Sequence, residues 1–239
     1  MTGATASQVY QCKDSVGRLI FQDEPCGDKT TGKQIQARKP VELVGDELDQ
    51  AMWLLLEEPY KSDDAQFISH VRINNLLQAK DSDGDSVMSI AALNGQTAVI
   101  DFLVENGADI DSTNHRGYTI FSFAAKLDDP VKTALLQHGA DINHAGERGR
   151  TPLINAVLLN DQNTVDFLLA RGADADQPDE TGASALFYAA SNGNMDIVKK
   201  LVQSGADVNN GERFKPLKGA IANKNLLIGS YLAFKGATP

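Results

Sequence analysis

Two cysteines, four histidines and a short run of carboxylates are the residues of this 239-residue chain whose types could do chemistry. Cys12 and Cys26 have no CxxC spacing, and His70, His115, His138 and His144 form no pair at ligand spacing, so a zinc set is disfavoured. Asp81-Ser82-Asp83-Gly84-Asp85 alternates like a calcium loop. Such a loop needs Gly at its sixth position and Glu at its twelfth, and Ser86 and Ala92 stand there instead. Gly182-Ala183-Ser184 begins like a nucleophile elbow, with Leu186 where the second Gly belongs. No His lies at an informative spacing from a Ser or Cys, and no glycine loop is built to cradle phosphate. The expectation is a non-enzyme with no catalytic residue, no cofactor and no metal site.

The elements that carry the cysteines form a small unit, residues 1–40. Gln8 to Asp23 reads QVYQCKDSVGRLIFQD, two β-prone segments around the turn Asp14-Ser15-Val16-Gly17, and predicts a β-hairpin that Pro25 ends. A unit of this size buries little core. A Cys12–Cys26 bridge would close a loop of about fifteen residues and contribute roughly 3 kcal/mol. A pair of reduced, unrelated thiols is the other reading of the same two residues. Val9 through Cys26, with Tyr10, Cys12, Gly17, Phe21, Asp23, Pro25 and Cys26 in order, resembles a small domain of unknown function, family 4124. That family is common at the N-terminus of Gram-negative envelope proteins. The resemblance implies export to the periplasm and a Cys12–Cys26 disulfide, with no known chemistry. Met1–Gln8 lacks the basic start and apolar stretch of a secretory signal, which decides nothing, because a chain beginning after signal cleavage reads the same.

The rest of the chain repeats. Gly-Ala-Asp recurs at Gly107, Gly139, Gly172 and Gly205, closing with Gly236-Ala237-Thr238, at intervals of 32, 33, 33 and 31 residues. Each is preceded by a second marker, of which Gly149-Arg150-Thr151-Pro152-Leu153 is the fullest. The Ala pairs Ala91-Ala92, Ala124-Ala125 and Ala189-Ala190 follow the marker, with Ala156-Val157 in the third repeat. The pattern predicts helix, turn, helix. Ser or Thr caps the first helix, Pro152 and Pro216 occupy first helical positions, and Gly ends the second helix in a left-handed conformation. These markers resemble the G-x-T-P-L of ankyrin repeats. The implied fold class is mainly α: an ankyrin-repeat solenoid of a divergent cap repeat plus five repeats, preceded by the disulfide-stapled hairpin. The domains are then residues 1–40, a cap repeat at 41–80, and five repeats at 81–239. The chain departs from the family at Ser89, Ser122, Ile154, Phe187 and Lys218, where His normally follows T-P-L. The second repeat is one residue short around Leu127-Asp128-Asp129-Pro130, and Leu226 to Phe234 is an apolar last helix with little polar outer face.

With 42% hydrophobic and 23% charged residues the composition is that of ordinary globular protein, and no run of 18 apolar residues exists to span a bilayer. The net charge of −10 argues against nucleic acid. The family resemblance implies a concave surface of fingers and first helices that binds a partner protein. Carried onto this chain, the positions free of structural duty are Asp83, Asp85, His115, Arg116, Tyr118, Lys126, Glu147, Arg148, Arg150, Glu180, Asn192, Arg213 and Phe214. Tyr and Arg are the types enriched in binding hot spots. Leu127, Leu158 and Leu159 either floor that surface or belong to the inter-repeat core. The expected function is a monomeric periplasmic protein-binding module, in its sharper form an immunity protein or inhibitor of a secreted toxin that acts on the envelope. The alternative is an envelope maintenance or stress adaptor that binds cell-wall machinery or peptidoglycan.

Overall fold

The computed structural model describes residues 10–13, 19–22, 46–57 and 60–239. Strands β1 (Tyr10–Lys13) and β2 (Leu19–Gln22) pair antiparallel, Tyr10 opposite Gln22 and Lys13 opposite Leu19. The segment between them, Cys26 and the expected Cys12–Cys26 bond lie outside the described residues.

From Asp46 onward the chain is six helical pairs among the described residues: α1 (Asp46–Leu54) with α2 (Asp64–Ile73), and α3 (Val87–Leu93) with α4 (Thr97–Glu105). A 3-10 segment, Ile120–Lys126, pairs with α5 (Asp129–Gln137), then α6 (Pro152–Leu158) with α7 (Gln162–Ala170), and α8 (Ala185–Asn192) with α9 (Met195–Gln203). The last pair is α10 (Pro216–Ala222) with α11 (Leu226–Phe234). First helices pack on first helices and second on second, so the pairs form two rows.

The caps explain where the helices start. The side chains of Ser86, Thr151 and Ser184 accept the backbone N–H three residues on, and Pro152 and Pro216 open α6 and α10. The second helices end at Gly107, Gly139, Gly172, Gly205 and Gly236, all with φ between 85° and 95°, a conformation in which a Cβ would be strained. Small residues hold the first row together, Ala91, Ala124, Ala156, Ala189 and Ala220 each being buried. Leu103, Leu135, Leu168, Leu201 and Leu232 are wholly buried in the second row, at the same intervals as the glycines. Each pair therefore buries its apolar face only against its neighbours.

The shortened second repeat departs from the expected capping. Thr119 makes no side-chain bond to a helical N–H; its Oγ1 lies 3.4 Å from Ser122 Oγ instead. With one residue fewer, the first helix tightens to 3-10 geometry and breaks at Phe123 (φ −100°, ψ 23°), and Pro130 sits in the first turn of α5. Leu127 is buried at 6% exposure and belongs to the core, not to a binding floor; Leu158 packs partly against the same core, and Leu159 is exposed. The cap pair is tied on by polar side chains. Asn94 Nδ2 donates to Leu55 O, and buried Gln96 donates to Tyr60 O and Asp64 Oδ1. Among the described residues, no helix is long and apolar enough to cross a membrane.

Candidate functional site

The fingers are short turns, and three of them are built the same way. Asp81 Oδ1 accepts the N–H of Asp83 and Asp85, Asn114 Oδ1 that of Arg116 and Tyr118, and Asp179 Oδ1 that of Thr181 and Ala183, at 2.8 to 3.1 Å. An Asp or Asn in this position folds the loop around its own side chain. The third finger has Gly146 there. A Cβ on Gly146 would lie 2.2 Å from Tyr118 Cδ1, so the ring from the preceding finger occupies the place of the missing side chain. Without that side chain the turn puts Arg148 itself in the left-handed region, φ 63°.

Successive fingers are bonded to each other. His115 N–H donates to Asp83 O at 3.2 Å and Glu180 N–H to Arg148 O at 3.0 Å. At the finger bases a ladder recurs: the N–H groups of Asp141, Asp174, Asp207 and Thr238 donate to Asp111, Asn143, Asp176 and Asn209 of the repeat before. The Asp of each Gly-Ala-Asp also accepts the N–H two residues on, as Asp174 does from Asp176 at 2.8 Å. The acidity of the repeat motif is thus partly spent on backbone donors.

On this scaffold none of the thirteen expected contact residues is buried. Asp85 is engaged by Asn114 Nδ2 at 3.1 Å. Tyr118 packs on Phe123 with ring centroids 5.3 Å apart, and Lys126 Nζ lies 5.6 Å from the Phe123 ring. Phe214 meets Phe187 edge-on at 5.1 Å, with Arg213 over its ring at 5.4 Å. His115 covers Gly84, Glu180 covers Gly149, and Asp83, Glu147 and Asn192 are exposed. The structure therefore gathers four of the thirteen expected residues, Tyr118, Lys126, Arg213 and Phe214, into two aromatic clusters. One is Tyr118, Phe123 and Lys126; the other is Phe187, Tyr188, Phe214 and Arg213. Phe123, Phe187 and Tyr188 were not on the expected list. Phe187 was signalled by its place where the family carries His, and Tyr188 follows it.

The second cluster continues through Tyr188 into a polar network. Burial is the largest influence on Asp179 and pushes its carboxyl up, yet hydrogen bonds from Thr181, Tyr188 and Ala183 together outweigh it and hold the group below the usual carboxylate range. Tyr188 OH donates to Asp179 Oδ2 at 2.6 Å, and Thr181 Oγ1 to Oδ1 at 2.6 Å. Burial, then this bond to a carboxylate, raises the Tyr188 phenol, and the charge of Arg150 opposes the rise. In the first finger, burial and the neighbouring Asp85 and Asp83 raise Asp81 against the pull of its backbone donors.

Charge is treated differently on the two sides of the stack. The ion pairs among the described residues lie on second helices: Lys132 with Asp129 at 2.8 Å, Lys200 with Asp166, and His138 with Asp101 at 2.7 Å when the imidazole is protonated. Arg116, Arg148, Arg150 and Arg213 carry no carboxylate partner among those residues. No group of side chains able to hold a metal ion occurs among the described residues.

Comparison with known proteins agrees with this architecture. Residues 50–144, 88–179 and 163–239 each match the family model described as Ankyrin repeats (3 copies), and residues 1–44 match Domain of unknown function (DUF4124). A curated relative, Regulatory protein SWI6 of Saccharomyces cerevisiae, is 30% identical over 126 residues, 52% of this chain. The match spans only 14% of that protein's length. Such repeats make a protein–protein interaction module, typically a non-enzymatic scaffold.

Proposed function

The chain belongs to the ankyrin-repeat family, and from that premise we propose that it is a periplasmic, non-enzymatic binding protein that holds one protein partner on its concave face of fingers and first helices. The observation that carries the reading is the contrast in charge. The arginines on the finger side have no carboxylate partner among the described residues and stand near packed aromatic rings, while the ion pairs among those residues sit on second helices. Unpaired Arg beside packed aromatic rings is the composition of binding hot spots. Export rests on the match of residues 1–44 and on both cysteines falling in that unit, where a Cys12–Cys26 bridge would staple a hairpin too small to hold itself together. In its sharper form the proposal has the chain acting as a monomeric immunity protein that occludes a secreted toxin of the envelope.

The test is expression from the native gene in a Gram-negative host, followed by cell fractionation, thiol labelling before and after reduction, and co-purification. The expected result is recovery from the periplasm, thiols that react only after reduction, and one co-purifying protein whose toxicity co-expression suppresses. Recovery from the cytoplasm with free thiols overturns the export reading. Pelleting with isolated sacculi, with no protein partner, replaces it with the cell-wall adaptor.

A further inference from the structure

Two buried side-chain polar atoms among the described residues lack a hydrogen-bond partner, Ser191 Oγ and Arg150 Nε. The serine is accounted for by packing: a Cβ on Gly219 of α10 would come within 2.4 Å of its hydroxyl, so the two first helices close over it. Arg150 has no such account. Its backbone is satisfied, the N–H donating to Glu147 O and the carbonyl accepting from Gly146. Its guanidinium lies near enough to Tyr188 for its charge to be felt by that phenol. Yet Asp179, the carboxylate of that network, is taken up by four donors: two backbone N–H groups, the Thr181 hydroxyl and the Tyr188 hydroxyl. The Arg150 guanidinium is not among those donors.

A sheltered N–H without an acceptor is a standing loss that an incoming acceptor removes. The edge of a guanidinium formed by Nε–H and one Nη–H matches the two oxygens of a carboxylate. We propose that Arg150 anchors a carboxylate-recognition site in the middle of the finger face, occupied by an Asp or Glu side chain from an acidic segment of the protein partner. This rests on reading that face as the partner surface. Arg116 and Arg148, exposed near the tips of the second and third fingers and equally without carboxylate partners among the described residues, add cationic groups to a face that also carries exposed Glu147 and Glu180. Tyr118, whose ring fills the place of a Cβ on Gly146 of the Arg150 finger, and the edge-on Phe187–Phe214 pair of the following repeats supply aromatic surface for the residues flanking the acid.

The test selects random phage-displayed peptides on the full chain, then measures binding of the recovered peptides by fluorescence anisotropy. The proteins are wild type, Arg150→Met, Arg150→Lys and the double variant Tyr118→Ala/Phe214→Ala, each with far-UV circular dichroism unchanged. Recovered peptides enriched in Asp and Glu are expected. Their affinity falls at least about tenfold in Arg150→Met and less in Arg150→Lys, and replacing the peptide's acids with amides reproduces the Arg150→Met loss. Selection that yields no acidic binder, or acidic binders held equally well by Arg150→Met, overturns the carboxylate site. Binding lost in the double variant but kept in Arg150→Met leaves the partner face standing without that site. Binding kept in both removes the face as well as the site.

Discussion

Lys132 and Arg150 face the same problem on opposite sides of the stack. Lys132, on α5, is 3% exposed, and everything around it is arranged for it. Asp129 pairs with it, Thr164 Oγ1 lies 3.5 Å away, and its ammonium sits 4.7 Å from the Phe167 ring, with Arg171 also over that ring at 3.5 Å. Arg150 keeps a sheltered nitrogen and is offered nothing. The same division runs through the acids. The hydrogen bond and charge of Lys132 hold Asp129 low, whereas Asp179 is held low by neutral donors that overcome its burial. Cations on the second helices find carboxylates within and between those helices, whereas the finger arginines have no carboxylate partner among the described residues.

The sharpest way to break this contrast is at the binding surface. Replacing Arg116, Tyr118, Arg148 and Arg150 together by Ala lowers affinity for the co-purified protein by at least about 100-fold, with the urea midpoint little moved. Titration with each purified protein checks it, and an unchanged affinity removes the fingers from the reading. Next come the two cations singly. Lys132→Ala strips a buried stem and lowers stability by about 2 kcal/mol in urea unfolding, while Lys132→Met, which keeps the stem, costs less. Arg150→Met stays within about 0.5 kcal/mol of wild type, because it deletes an unsatisfied donor. A loss as large as that of Lys132→Ala would mean the arginine is structural.

Asp179 offers a pH test. Its folded pKa lies below its unfolded value of about 3.9, so its contribution is present above that pH and is lost as pH falls through the folded value. Asp179→Asn is expected to cost about 1 kcal/mol at neutral pH, and the gap from wild type should close in acid. A gap that stays constant down to acid pH would mean that the carboxylate's charge plays no part. The smallest effect is at Arg148. Arg148→Gly relieves a left-handed non-glycine but gains unfolded-state freedom, for a net stabilisation below about 1 kcal/mol by the same unfolding measurement.

The stack was legible because a repeat announces itself: Gly-Ala-Asp and the Ser/Thr caps are local devices, and apart from Thr119 of the shortened repeat they do in the structure what their chemistry requires. The short second repeat was also readable, though not its consequence, since only packing turns a lost residue into a 3-10 helix. The finger positions could be mapped by resemblance. The unpartnered Nε of Arg150 could not, because its burial and the lack of an acceptor are set by packing across repeats and not by its place within one repeat. The ladder from Asp111 to Asp141 and its successors escaped for a like reason: acids that look like solvated surface are bonded to backbone about thirty residues away.

That ladder also makes the chain extensible. Each rung joins one repeat to the next by the same pair of groups, an Asp or Asn side chain below and a backbone N–H above. A second copy of residues 174–206 spliced in after the first would have its opening N–H meet the original Asp176, and its own Asp176 would meet Asp207. Growth by copying needs no new joint, and so the reach of this face along a partner can be lengthened one finger at a time.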